Sequence, residues 1–85
     1  MKIKYEIYSR PGCHLCEEMF NQLGKVENIS SDDINVLNIE TNQNLLNKFH
    51  YRIPVLFVNG KEVCSGKLDR QALIEAILQV SSGHS

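Results

Sequence analysis

Ile3-Lys4-Tyr5-Glu6-Ile7-Tyr8-Ser9-Arg10-Pro11-Gly12-Cys13-His14-Leu15-Cys16 contains the switch of periodicity that decides the fold. Ile3, Tyr5 and Ile7 alternate with Lys4 and Glu6, and this period of two predicts a strand over residues 2–8. Ser9-Arg10-Pro11-Gly12 is rich in turn residues and ends it. From Cys13 to about Val26 the spacing becomes three and four. Leu15, Cys16, Met19, Phe20, Leu23 and Val26 form one stripe, with Glu17, Glu18, Gln22 and Lys25 between them. That is an amphipathic helix, in which Gly24 is a mild interior cost.

Glu27 to Asp33 is polar and turn-prone, and Ile34 to Ile39 reads as a second strand. Thr41-Asn42 can cap a brief helix carrying Leu45, Leu46 and Phe49. Ile53 to Val58 reads as a third strand. Asn59-Gly60 is a strong hairpin signal and folds Lys61 to Ser65 back as an antiparallel fourth strand. Gly66 ends that strand. A last helix is predicted from about Leu68 to Val80, with Leu73, Ala76, Ile77 and Val80 on one face. Residues 81–85, Ser-Ser-Gly-His-Ser, read as a polar tail after a single domain of residues 1–80. The order βαβαββα predicts an α/β fold: a four-stranded mixed sheet flanked by helices, its first two strands parallel and joined by a right-handed crossover.

The composition excludes several function classes. Nine Lys and Arg against ten Asp and Glu give a net charge of −1, which provides no broad basic surface for nucleic acid. Ile53–Val58 is far too short to span a bilayer, and the charged start Met1-Lys2-Ile3-Lys4-Tyr5-Glu6 does not resemble a signal peptide. The expectation is a cytoplasmic monomer. Cys13, Cys16 and Cys64 are too few, and odd in number, for a secreted disulfide scaffold, so they point to redox chemistry or metal binding.

Cys13 falls at the predicted helix start. Unpaired backbone N–H groups and the helix dipole favour negative charge there, so the Cys13 thiol should ionise below the free value of about 8.5. The i, i+3 spacing brings Cys16 onto the same face, near enough for a disulfide. Cys16 also belongs to the apolar stripe and should be the less exposed sulfur. The sequence thus assigns Cys13 as attacking nucleophile and Cys16 as resolving thiol. Zinc would need four ligands, drawn from Cys64 and His14, His50 or His84 beside the pair, and no second close pair exists; no metal site is assigned. Arg10 can stabilise a thiolate or a bound carboxylate, or stand as a solvated turn residue. Glu17 and Glu18 suit the helix dipole but oppose a thiolate and repel an anionic substrate. His14 assists when protonated, or is simply solvated.

Three segments together resemble the glutaredoxin-like members of the thioredoxin superfamily: Tyr8 to Cys16, Arg52 to Gly60, and Ser65-Gly66-Lys67-Leu68-Asp69. The resemblance runs from Tyr5 to Val80. It implies a thioredoxin-like fold and a thiol–disulfide oxidoreductase acting on protein disulfides or glutathione mixed disulfides. It further implies no bound cofactor, with glutathione as co-substrate or a reductase as electron donor. Pro54 would be cis and face the Cys13–Cys16 disulfide, with the Ile53 backbone pairing with a peptide-like substrate. Without the resemblance Pro54 reads as a strand-opening proline. Arg10, Ile53, Pro54, Gly66 and Asp69 would form the substrate groove. The chain departs from glutathione-using members in having His14-Leu15 between its cysteines, Arg52-Ile53 before the proline, and Ser65-Gly66-Lys67 at the turn. Cys64 reads either as a small buried hydrophobe or as a third reactive thiol. The alternative from another class is a non-catalytic domain of this fold that docks a protein or binds zinc.

Overall fold

A computed structural model describes residues 3–27 and 29–82. Strand β1 spans Tyr5–Ser9 and buries Tyr5, Ile7 and Ser9, the alternation read from the sequence. Helix α1 covers His14–Gly24. β2 is Ile34–Asn38, α2 is Gln43–Phe49, β3 is Val55–Val58, β4 is Lys61–Ser65 and α3 is Arg70–Ser82. The sheet order is β2-β1-β3-β4. β1 runs parallel to β2, from Tyr5 opposite Ile34 to Ser9 opposite Asn38, and antiparallel to β3, from Tyr5 opposite Val58 to Tyr8 opposite Val55. This is the expected thioredoxin-like βαβαββα arrangement.

The period of two sorts side chains to two layers. Tyr5, Ile7, Leu56 and Val58 face a core that includes Met19 and Leu23 of α1 and Leu73 of α3. Tyr8, Phe57 and Val55 face Ile39 and Phe49 on the other side, under α2. A seven-residue helix is too short to be stable alone, so α2 depends on what it covers. Its N-terminus is capped by Asn42, whose Oδ1 accepts from Asn44 N at 2.8 Å and Leu45 N at 3.3 Å. Its last residue, Phe49, stacks on Tyr8 at 4.7 Å and meets the edge of Phe57 at 5.9 Å.

Asn59 (φ 50°) and Gly60 (φ 84°) both take positive φ, as a two-residue hairpin turn requires. Asn59 also ties the hairpin to the start of β1: its Oδ1 accepts from Lys4 N at 2.7 Å, and its N–H donates to Lys4 O at 2.8 Å. Between Leu56–Cys64 and Phe57–Glu62 the β3–β4 register shifts, leaving Val63 as an extra residue on β4.

Several boundaries differ from the sequence reading. β3 begins at Val55 rather than Ile53, because Ile53–Pro54 lies before the ladder and is a cis peptide. α3 begins at Arg70 rather than Leu68. Asp69 caps it, its carboxylate accepting from Ala72 N at 3.1 Å, while Leu68 packs on the core. The same helix runs on through Ser81 and Ser82. Residues 83–85 of the expected tail lie outside the described residues, as does residue 2 of the expected first strand. Leu15, expected on the buried stripe, is 51% exposed. The stripe is Cys16, Met19 and Leu23, and Leu15 sits about 100° around the helix from Cys16 in its first turn.

Phe49→Ala should therefore cost about 3–5 kcal/mol, a large share of the stability of a domain this size. Denaturant unfolding reads this as a lower midpoint, and loss of α2 should accompany it as reduced helical circular dichroism in the native baseline.

Candidate active site

The strand registers gather the site at one end of the sheet. β1 and β2 are parallel, so Ser9 and Asn38 end together. Tyr8 opposes Val55 and Val55 opposes Ser65, so Pro54 and Gly66 lie at that same end. The turn from Ser9 into α1 thus emerges at the end of the sheet that carries Pro54 and the β4–α3 turn.

Within that turn Gly12 takes φ 76°, a conformation that side-chain-bearing residues rarely adopt. It lets Cys13 N donate to Arg10 O at 3.3 Å and sets Cys13 as the N-cap of α1. Cys13 replaces the usual Ser or Asp cap. Its Sγ accepts from Cys16 N at 3.1 Å, and its carbonyl accepts from Glu17 N at 3.2 Å. Cys13 and Cys16 form a disulfide with Cα atoms 5.2 Å apart, so the structure is the oxidised form. Cys13 is half-buried and Cys16 is buried at 6% exposure, the asymmetry expected of an outer and an inner sulfur.

Arg10 and His14 each face a glutamate. Arg10 meets Glu40 at 2.8 Å, both half-exposed. Sequence reasoning missed Glu40, which lies just past β2 and reaches Arg10 only because the parallel register aligns the two strand ends. His14 Nε2 lies 3.0 Å from Glu18, one helical turn on. Glu17 has no ion-pair partner among the described residues. Arg52 pairs with Glu62 across the hairpin and sits over the Phe49 ring at 5.7 Å.

Of the remaining expected site residues, Pro54 and Gly66 bond to each other, while Ile53 and Asp69 bond elsewhere. Pro54 is cis and fully buried, and its carbonyl accepts from Gly66 N at 2.8 Å. Gly66 itself takes φ 82°. The Ile53 N–H donates to Phe49 O at 3.1 Å, so that half of its backbone is already committed within the protein. The Asp69 carboxylate caps α3.

A cavity of about 420 Å³ opens on the other side of the disulfide, over α1 and β2. Both cysteines line it, together with Phe20, Val36 and the charged side chains Arg10 and Glu17. Among the described residues no three His, Cys, Asp or Glu side chains gather as a metal site, and no helix is long and apolar enough to cross a membrane.

Cys64 is half-buried, pairs with Leu56 across the hairpin and packs on the core. Burial pushes its thiol above the ordinary value. The Asp69 backbone N–H offsets part of this, while the negative charges of Asp69 and Glu62 add to it.

Residues 4–78 match the family model described as a glutaredoxin-like domain (DUF836). The solution NMR structure of protein Ne2328 from Nitrosomonas europaea superposes with a TM-score of 0.79 at 36% identity, over 89% of this chain and 92% of that one. Comparison with curated proteins gives no match.

Because the folded-state value for Cys64 is raised, the neutral thiol's contribution to stability is complete below the unfolded-state value and is lost as pH rises through the folded one. The stability gap between the wild-type protein and Cys64→Ala should accordingly narrow from pH 8 to pH 10, as read by denaturant midpoints. A constant gap would show that Cys64 ionises as freely in the fold as out of it.

Proposed function

The chain belongs to the glutaredoxin-like domain family, and from that premise we propose that it is a thiol–disulfide oxidoreductase acting on protein disulfides or glutathione mixed disulfides. The observation that carries the proposal is the N-cap placement of Cys13, whose sulfur already accepts the Cys16 N–H at 3.1 Å. In the reduced protein the same N–H and the helix dipole favour the thiolate, a contribution of about 1 kcal/mol. Arg10 adds less than its formal charge suggests, because Glu40 partners it, and Glu18 faces His14 in the same way.

The reaction follows from the two burials. The Cys13 thiolate attacks one sulfur of the substrate disulfide, forming a mixed disulfide and expelling the other sulfur as a thiolate that takes a proton from water. Cys16 then loses its proton, and its thiolate attacks the Cys13 sulfur. That closes the Cys13–Cys16 disulfide and releases the second substrate thiol. The substrate gains two electrons and two protons, and the cysteine pair loses them. Two thiols of glutathione, or the dithiol of a reductase, return the pair to its reduced form. The Pro54–Gly66 hydrogen bond supports a rigid wall beside the reacting sulfurs, against which the Ile53 and Gly66 backbones, Arg10 and Asp69 would guide substrate. A cytoplasmic setting, where thiols are kept reduced, fits this chemistry.

Cys13→Ser should abolish turnover of a disulfide substrate, losing at least about 100-fold, since an alcohol at this position is scarcely ionised near neutral pH. Cys16→Ser should retain the first step and accumulate the mixed disulfide on Cys13, detected as an adduct by intact mass. Full exchange activity in Cys13→Ser would overturn the nucleophile assignment. Inactivity of the reduced wild-type protein would leave a binding domain as the better reading.

A further inference from the structure

The cavity beside the disulfide is not the wall formed by Pro54. In the sheet order β2-β1-β3-β4, the cavity lies over β2 and α1, whereas Pro54 opens β3 on the far side of β1. An extended peptide whose sulfur reacts at Cys13 would therefore have one flank at Pro54 and the other at the cavity. Successive residues span about 3.3–3.6 Å, so a side chain one position from the substrate cysteine is within reach.

The lining states what that side chain should be. At about 420 Å³ the cavity is of ligand-pocket size, which a single long side chain can enter without filling. Phe20 and Val36 give it apolar walls, and Val36 is 52% exposed on the edge strand β2. Arg10 is neutralised by Glu40, leaving Glu17 as the charged lining residue without an ion-pair partner among the described residues. An apolar stem ending in a positive charge suits such a surface, and a carboxylate suits it poorly.

Resting on the oxidoreductase reading above, we propose that this cavity is a substrate subsite for a lysine or arginine next to the reacting cysteine. Glu17 and Glu40 are its specificity-determining residues. Glu17 attracts the cation directly. Glu40 acts by holding Arg10, which would otherwise turn the subsite towards anions. The preferred substrates are then disulfides in basic protein segments rather than anionic glutathione adducts.

The test uses pre-reduced full-length protein and three peptides, acetyl-Gly-X-Cys-X-Gly-amide, each as its mixed disulfide with thionitrobenzoate. X is lysine, norleucine or glutamate, and placing it on both flanks removes any dependence on peptide direction. Release of the yellow thionitrobenzoate gives the single-turnover rate constant. Comparing peptides within each protein variant cancels changes in Cys13 reactivity. The lysine peptide should react fastest and the glutamate peptide slowest, with a ratio of about fivefold for the wild-type protein. Glu17→Gln should cut that ratio to about twofold, and Glu40→Gln, which also frees Arg10, to about one or below. Glu27→Gln removes the same formal charge beyond the far end of α1, about 16 Å or more from Cys13, and should leave the ratio as it is. A wild-type ratio near one, a norleucine peptide faster than lysine, or a ratio unmoved by both Glu17→Gln and Glu40→Gln overturns the subsite while the oxidoreductase reading stands. If no peptide releases thionitrobenzoate, both fall together.

Discussion

The register of β1 against its two neighbours is the constraint on which the rest of the structure depends. Tyr5 and Ile7 enter the core with α1 and α3, while Tyr8 enters the layer under α2. A slip of one residue would exchange these sets and drive Glu6 inward, so burial fixes the pairing. The same register brings the ends of β1, β2 and β4 level with the start of β3. The cysteine turn, Pro54, Gly66 and Glu40 come to the same end of the sheet as a consequence, Glu40 beside Arg10 and Gly66 beside Pro54. The site is thus a product of strand alignment and not of any single loop.

At that end of the sheet, backbone groups supply what charged side chains do not. Arg10 and His14 stand near the sulfurs, but each is matched by a glutamate. The α1 N-terminus, with Glu17 in its first turn, lies beside them, and Cys13 occupies its cap with the Cys16 N–H as donor. A backbone donor of this kind costs no long side chain its freedom, unlike a surface ion pair. It also ties reactivity to position, because the sulfur that caps the helix is the more exposed of the two.

The two flanks of the disulfide differ in kind. On the β3 side, Pro54 and Gly66 are hydrogen-bonded to each other and present mostly backbone. On the β2 side the walls are side chains, apolar at Phe20 and Val36 and charged at the rim. Backbone surfaces accept many peptide sequences, while side-chain cavities discriminate among them. Cys64, on β4 two residues before Gly66, packs on the main core with its ionisation opposed by burial.

Much of this was legible in the sequence because the signals are local. The switch from period two to period three and four located β1 and α1, Asn42 marked the cap of α2, and Asn59-Gly60 marked the hairpin. The helix-start position of Cys13 and the inward place of Cys16 followed from spacing alone. All of these depend on residues within about four positions of one another. Other features needed the tertiary structure. The pairing of Arg10 with Glu40 spans thirty positions and requires the β1–β2 register. Leu15 fitted the apolar spacing yet faces solvent, because the sequence cannot say which part of a stripe the sheet covers. Asp69, read as a substrate contact, caps α3, and the Ile53 N–H is spent on Phe49. Sequence alone determined the elements and the close cysteine pair, since local geometry dictates both. The cavity, its charge balance and the partners of its rim were decided by packing, where chain segments distant in sequence meet.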